Sequence, residues 1–128
     1  MLRILIVDDC ILQLAVTRSV LMDAGLDVVV CSNSVNAISI AKEYSPDLIL
    51  LDLNMPLYDG AAVSRDIQSC PTTCDIPFVM FSSCSEITKK LECLNLGALD
   101  YLEKTINSQD LIRKVRAYAT IGNTKKLR

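Results

Sequence analysis

Four sets of polar residues stand behind apolar runs, and their types suit phosphoryl chemistry. Asp8 and Asp9 follow residues 2–7, which are apolar apart from Arg3. Asp52 follows Leu48, Ile49, Leu50 and Leu51. Ser82 and Ser83 follow residues 78–81, and Lys104, after Glu103, follows residues 99–102. Three carboxylates drawn together repel unless one takes up a proton or a cation sits among them. Hard oxygen ligands with room for water suit Mg²⁺. An ammonium and a hydroxyl can each meet a phosphoryl oxygen, and the central carboxylate can act as nucleophile. Taken singly, each residue has a plainer reading. Asp8 and Asp9 could be solvated loop charges or a helix N-cap, and Lys104 a surface lysine at a strand end.

What decides is whether the chain brings these residues together. Residues 2–7 form a first strand, and residues 10–24 carry a broad apolar stripe with Gly25 at the expected stop. Residues 26–31 hold three consecutive valines, a strand signal. Ser32, Asn33 and Ser34 offer caps for a helix with Ala37, Ala41 and Tyr44 on one face. A third strand runs from Leu48 to Leu51, and a short helix carries Val63 and Ile67. Residues 78–81 read as a fourth strand, followed by a helix with Ile87, Leu91 and Leu94. Residues 99–102 make a fifth strand, and Leu111, Val115 and Tyr118 a last helical stripe.

Five strand–helix units in alternation, with near-continuous apolar strands, predict a parallel sheet covered on both faces. Right-handed crossovers then give a doubly wound α/β fold of flavodoxin-like type, strand order 2-1-3-4-5. Ligands in such sheets bind beyond the carboxyl ends of the strands. In that order the third strand lies between the first and the fourth. Asp52 is therefore flanked by Asp8 and Asp9 on one side, and by a serine and Lys104 on the other. Strand alternation does not choose between Ser82 and Ser83 without the register.

Several of these runs resemble the response-regulator receiver domains of two-component signal transduction. They are Ile4-Leu5-Ile6-Val7-Asp8-Asp9, the stretch from Pro46 through Asp52 to Pro56, Asp59-Gly60, the stretch 77–83, and the stretch 97–104. The resemblance covers the chain from about Arg3 to about Tyr118. It implies that Asp52 is phosphorylated, and that Mg²⁺ is held by Asp9 directly, Asp8 through water, Asp52, and the backbone carbonyl of Asn54. It implies that Ser82 and Lys104 stabilise the phosphoryl group, and that Tyr101 is a switch aromatic that moves with Ser82. The phosphodonor would be a histidine kinase or a histidine phosphotransfer protein, acting in trans because the chain has no histidine. The domain would catalyse its own phosphorylation and dephosphorylation, as a signalling switch rather than an enzyme, and could serve a phosphorelay. Its output would pass to a downstream protein, an effector domain or a second copy through helix 4, strand 5 and helix 5. A phosphorylation-independent binding module of the same fold is the alternative. One departure stands out. The family usually has proline after the lysine, with a cis bond between them, whereas here Thr105 follows Lys104. The bond is then either trans with an altered loop or cis at a cost of about 2.5–4 kcal/mol. A hydrolase of haloacid dehalogenase type would want a second aspartate where Asn54 stands.

Composition is consistent with this reading. The chain has 128 residues, 51% of them hydrophobic, and a formal net charge of -2, enough for one compact domain. Such a balance lacks the basic field of nonspecific nucleic-acid binding. The apolar runs are too short to span a bilayer, and no secretory signal is apparent, so a cytoplasmic protein is expected. Residues 1–121 are expected to form the domain, and 122–128 a polar tail or the start of a linker. The six cysteines, Cys70 and Cys74 being the closest pair, are expected to be reduced thiols. Without histidine, a zinc site is not expected.

Overall fold

The computed structural model describes residues 1–126. Five parallel strands, β1 (Arg3–Val7), β2 (Asp27–Cys31), β3 (Leu48–Leu51), β4 (Phe78–Ser82) and β5 (Tyr101–Glu103), form one sheet in the order β2-β1-β3-β4-β5. They alternate with α1 (Ile11–Asp23), α2 (Ala37–Tyr44), α3 (Gly60–Ser69), α4 (Ile87–Asn95) and α5 (Ser108–Lys126). This is the expected doubly wound fold and strand order.

The strands are apolar throughout because both faces of the sheet are covered. Leu5, Val7, Ile49, Leu51, Phe78 and Met80 face one layer with Ala37 and Ala41 of α2, Val63 and Ile67 of α3, and Cys93 of α4. Ile4, Ile6, Leu48, Leu50, Val79 and Phe81 face the other, against Leu14 and Leu21 of α1 and Leu111, Val115 and Ala119 of α5. Each fully buried aliphatic side chain here contributes about 1.5–3 kcal/mol. Asn33 accepts a hydrogen bond from the Val35 N–H at 3.2 Å and opens the 3₁₀ turn Ser34–Asn36 that leads into α2.

Two boundaries differ from expectation. The fifth strand begins at Tyr101, not Leu99. Leu99 is turned outward, and the Tyr101 N–H bonds the Asp100 carboxylate at 2.7 Å. The polar segment after Ile121 does not fray, since α5 continues to Lys126. Gly122 permits this: a Cβ there would fall 1.8 Å from the Asp47 carbonyl oxygen. Asn123 and Lys126 then donate to the Asp47 carboxylate at 3.3 and 2.9 Å, and Lys126 also bonds the Ser45 carbonyl. Asp47, 1% exposed, accepts the Arg3 N–H as well, at 2.8 Å. Burial works against its charge, but these donors prevail and hold its carboxyl below the usual range. Residues 127 and 128, the end of the expected tail, lie outside the described residues. Among the described residues no helix is long and apolar enough to cross a membrane.

Candidate functional site

The sheet ladder itself positions the aspartates. The Asp8 N–H bonds the Cys31 carbonyl at 3.1 Å, and the Asp52 N–H bonds the Val7 carbonyl at 2.9 Å. Each pairing carries the ladder one residue past its strand, so both carboxylates leave the sheet at its carboxyl edge. The carboxylates of Asp8, Asp9 and Asp52 converge, with one oxygen from each within 4.8 Å of the others. Asp8 and Asp52 are buried and Asp9 is exposed. Asp8 does not cap α1, whose N-cap is Cys10; one of its oxygens accepts the Cys10 N–H at 2.9 Å and the other meets Lys104.

Lys104 reaches in from the far side. Its Nζ lies 2.7 Å from Asp8 and 3.6 Å from Asp52. Its backbone N–H bonds the Ser82 carbonyl at 2.9 Å, which ties it to the end of β4. No cis peptide bond occurs among the described residues, so the Lys104–Thr105 bond is trans, and the lysine still enters the pocket. The cation is therefore in place without the proline.

Asp52 carries the electrostatic cost of this arrangement. Its carboxyl is pushed up to about 6, chiefly by burial and further by Asp8, against the lowering pull of Lys104 and the Asn54 N–H. One lysine shared between two buried carboxylates leaves the cluster short of positive charge. A donor set of hard carboxylate oxygens, open at Asp9 and short of a cation, fits Mg²⁺.

At the end of β4 the two serines differ in burial. Ser82 is fully buried and Ser83 is exposed. Ser82 Oγ accepts the Cys84 N–H at 3.2 Å, and its hydroxyl is close enough to Tyr101 to act against the upward push of burial on that phenol. Tyr101 is buried, its hydroxyl donates to the Cys84 carbonyl at 2.7 Å, and Lys90 lies 5.9 Å from its ring centre. Asn54 is exposed beside Asp52.

Gly60 has a role that no single local feature announces, its only signal being Asp59-Gly60 before a helical stripe. Asp59 caps α3 by accepting the Ala62 N–H at 2.9 Å. A Cβ on Gly60 would lie 2.4 Å from the Asp52 carbonyl oxygen, so only glycine lets α3 start against this backbone. Leu57, in the same loop, is fully exposed with φ +68°, a conformation that costs a leucine about 1–2 kcal/mol.

The chain belongs to the response regulator receiver domain family, whose profile matches residues 4–116. These domains are signalling switches of two-component systems. The chain is 34% identical over 115 residues to the DNA-binding dual master transcriptional regulator RpaA of Synechocystis sp., a match covering 90% of this chain and 48% of that protein. It is 29% identical to Protein PilH of Pseudomonas aeruginosa, over 91% of this chain and 97% of PilH. The BeF3-activated N-terminal receiver domain of Klebsiella pneumoniae RstA superposes with a TM-score of 0.84 at 27% identity, covering 91% of this chain and 97% of that one. The chain thus spans about half the length of RpaA and nearly all of PilH.

Proposed function

We propose that Asp52 accepts a phosphoryl group from a phosphohistidine presented by a histidine kinase or a histidine phosphotransfer protein. The observation that carries this is the placement of Asp52: a buried carboxylate that shares the Lys104 ammonium with Asp8, with its pKa raised to about 6. A carboxylate that destabilises its own fold is relieved when its negative charge is taken up in a new bond or matched by a cation.

In the reaction an Asp52 carboxylate oxygen attacks phosphorus, the new P–O bond forms, and the P–N bond to the donor imidazole breaks. Mg²⁺, held by Asp8, Asp9, Asp52 and the Asn54 carbonyl, would supply charge neutralisation on the phosphoryl oxygens when bound. Lys104 shifts from Asp8 to a phosphoryl oxygen, and the Ser82 hydroxyl donates its proton to another. Both movements act on the end of β4, because the Lys104 N–H bonds the Ser82 carbonyl. Tyr101 is linked to the same turn through the Cys84 carbonyl, which supports its role as the switch aromatic. The consequence is a population shift in the surface formed by α4, β5 and α5, read by a downstream protein, an effector domain or a second copy. Attack by water on the aspartyl-phosphate returns the domain to its starting state. The reading places the protein in the cytoplasm, with its donor.

The test is labelling by a small phosphodonor such as acetyl phosphate, with and without Mg²⁺. Asp52→Asn is expected to abolish it, and retained labelling would remove Asp52 as the site. Mg²⁺ titration of the free protein separates this reading from a phosphorylation-independent binding module, for which no binding is expected.

A further inference from the structure

Cys70 and Cys74 take no part in the phosphoryl site and lie in the turn between α3 and β4. Cys70 leaves the helix with φ -98° and ψ 124°, and its carbonyl accepts the N–H groups of Thr73 and Cys74 at 3.0 and 2.9 Å. The two cysteines are thereby fixed one hydrogen-bonded turn apart. A turn of this kind holds its end Cα atoms about 6 Å from each other, inside the span a disulfide bridges. Thr73 locks the turn, since it is fully buried and its hydroxyl donates to the Ile67 carbonyl at 2.7 Å. Both thiols remain accessible, Cys70 partly and Cys74 openly.

We infer that Cys70 and Cys74 form a thiol oxidation site, in which a peroxide or a low-molecular-weight disulfide joins them as an intramolecular disulfide. The environments of the cysteines divide the roles. The Thr72 N–H, aided by the Thr72 and Thr73 hydroxyls, draws the Cys70 thiol below its ordinary pKa despite partial desolvation. Burial pushes Cys31 and Cys93 upward and hides them from oxidant. Cys10 and Cys84 have no second cysteine within eight residues. Cys70 is therefore the attacking thiolate and Cys74 the resolving thiol.

With a peroxide, the Cys70 thiolate attacks one oxygen, the S–O bond forms, the O–O bond breaks, and hydroxide (or alkoxide) leaves. Cys74 then attacks the Cys70 sulfur of the resulting sulfenic acid. The S–S bond forms, the S–O bond breaks, and the Cys74 proton departs with the hydroxyl as water. With a small disulfide, two successive exchanges release two small thiols. Neither route involves Asp52.

The test is a peptide map of the whole chain after hydrogen peroxide and alkylation. Trypsin and chymotrypsin, cutting after Arg65 and Phe78, separate this pair from Cys84. The expected product is a 66–78 peptide lighter by two hydrogens and restored by dithiothreitol. Cys74→Ser should instead leave Cys70 as a sulfenic acid that reacts with dimedone, and Cys70→Ser should give neither product. Two results would overturn the inference. One is full alkylation of both thiols at a dose that oxidises Cys10 or Cys84. The other is cross-linking of Cys70 only between chains. The wild-type map decides the matter even if a variant folds poorly.

Discussion

Strand β3 carries a buried aspartate at each end, and the two are treated in opposite ways. Asp47, before Leu48, is met by the Arg3 N–H, Asn123 and Lys126, and its carboxyl sits below the usual range. Asp52, after Leu51, shares one lysine with Asp8, and its carboxyl rises to about 6. Burial is similar at both ends; the supply of donors is not. The lower end is a satisfied anchor. The upper end holds unrelieved charge, the condition expected of a site that awaits a cation and a phosphoryl group.

The largest break of this contrast is Lys104→Ala. It should slow phosphorylation of Asp52 by about 10²-fold at saturating Mg²⁺, measured with acetyl phosphate, whereas Lys126→Met should leave the rate unchanged. Equal losses from both would mean that the two lysines have the same, structural role.

Next come stability changes of opposite sign. Asp47→Ala strands three part-buried donors and should cost about 1–3 kcal/mol in urea unfolding. Asp52→Asn should instead stabilise the chelator-treated protein at pH 7 by about 1–3 kcal/mol, because it removes a charge whose folded pKa exceeds the unfolded value by about two units.

The pH dependence sharpens the same comparison. The folded state binds the Asp52 proton more tightly than the unfolded state does. Its penalty is therefore full above about pH 6 and is relieved as pH falls through that value toward 3.8. The advantage of Asp52→Asn should close over that window in chelator. Asp47 runs the other way: its stabilisation is present above pH 3.8 and lost only as pH falls through its lower folded value. Urea melts of the wild type, Asp52→Asn and Asp47→Ala at several pH values check both signs.

The smallest effect belongs to Leu57. Leu57→Gly relieves a left-handed leucine and should raise stability by about 1 kcal/mol, visible as a shift of a few degrees in a thermal melt.

The fold was legible because each strand is a short apolar run closed by a polar residue, and parallel pairing buries both faces. Asp52 was legible for the same reason: the ladder that pairs Leu51 also fixes the residue after it. Other features depended on contacts across the chain. Nothing local to Gly122 or Lys126 marks them as partners of Asp47, which is 75 or more residues away. Polarity alone therefore suggested a loose tail. Strand alternation left Ser82 and Ser83 open and only the resemblance favoured Ser82; their difference in burial depends on the register of β4. The effect of Thr105 could be read only once Lys104 was seen to reach Asp8 across a trans bond.

Helix α5 joins the two ends of this comparison. Its 19 residues make a rod about 28 Å long. The rod begins just past the Lys104 loop and is clamped at Asp47. Between those two points Leu111, Val115 and Ala119 seat it in the core. One stiff, buried element therefore spans the satisfied and the unsatisfied end of the same strand.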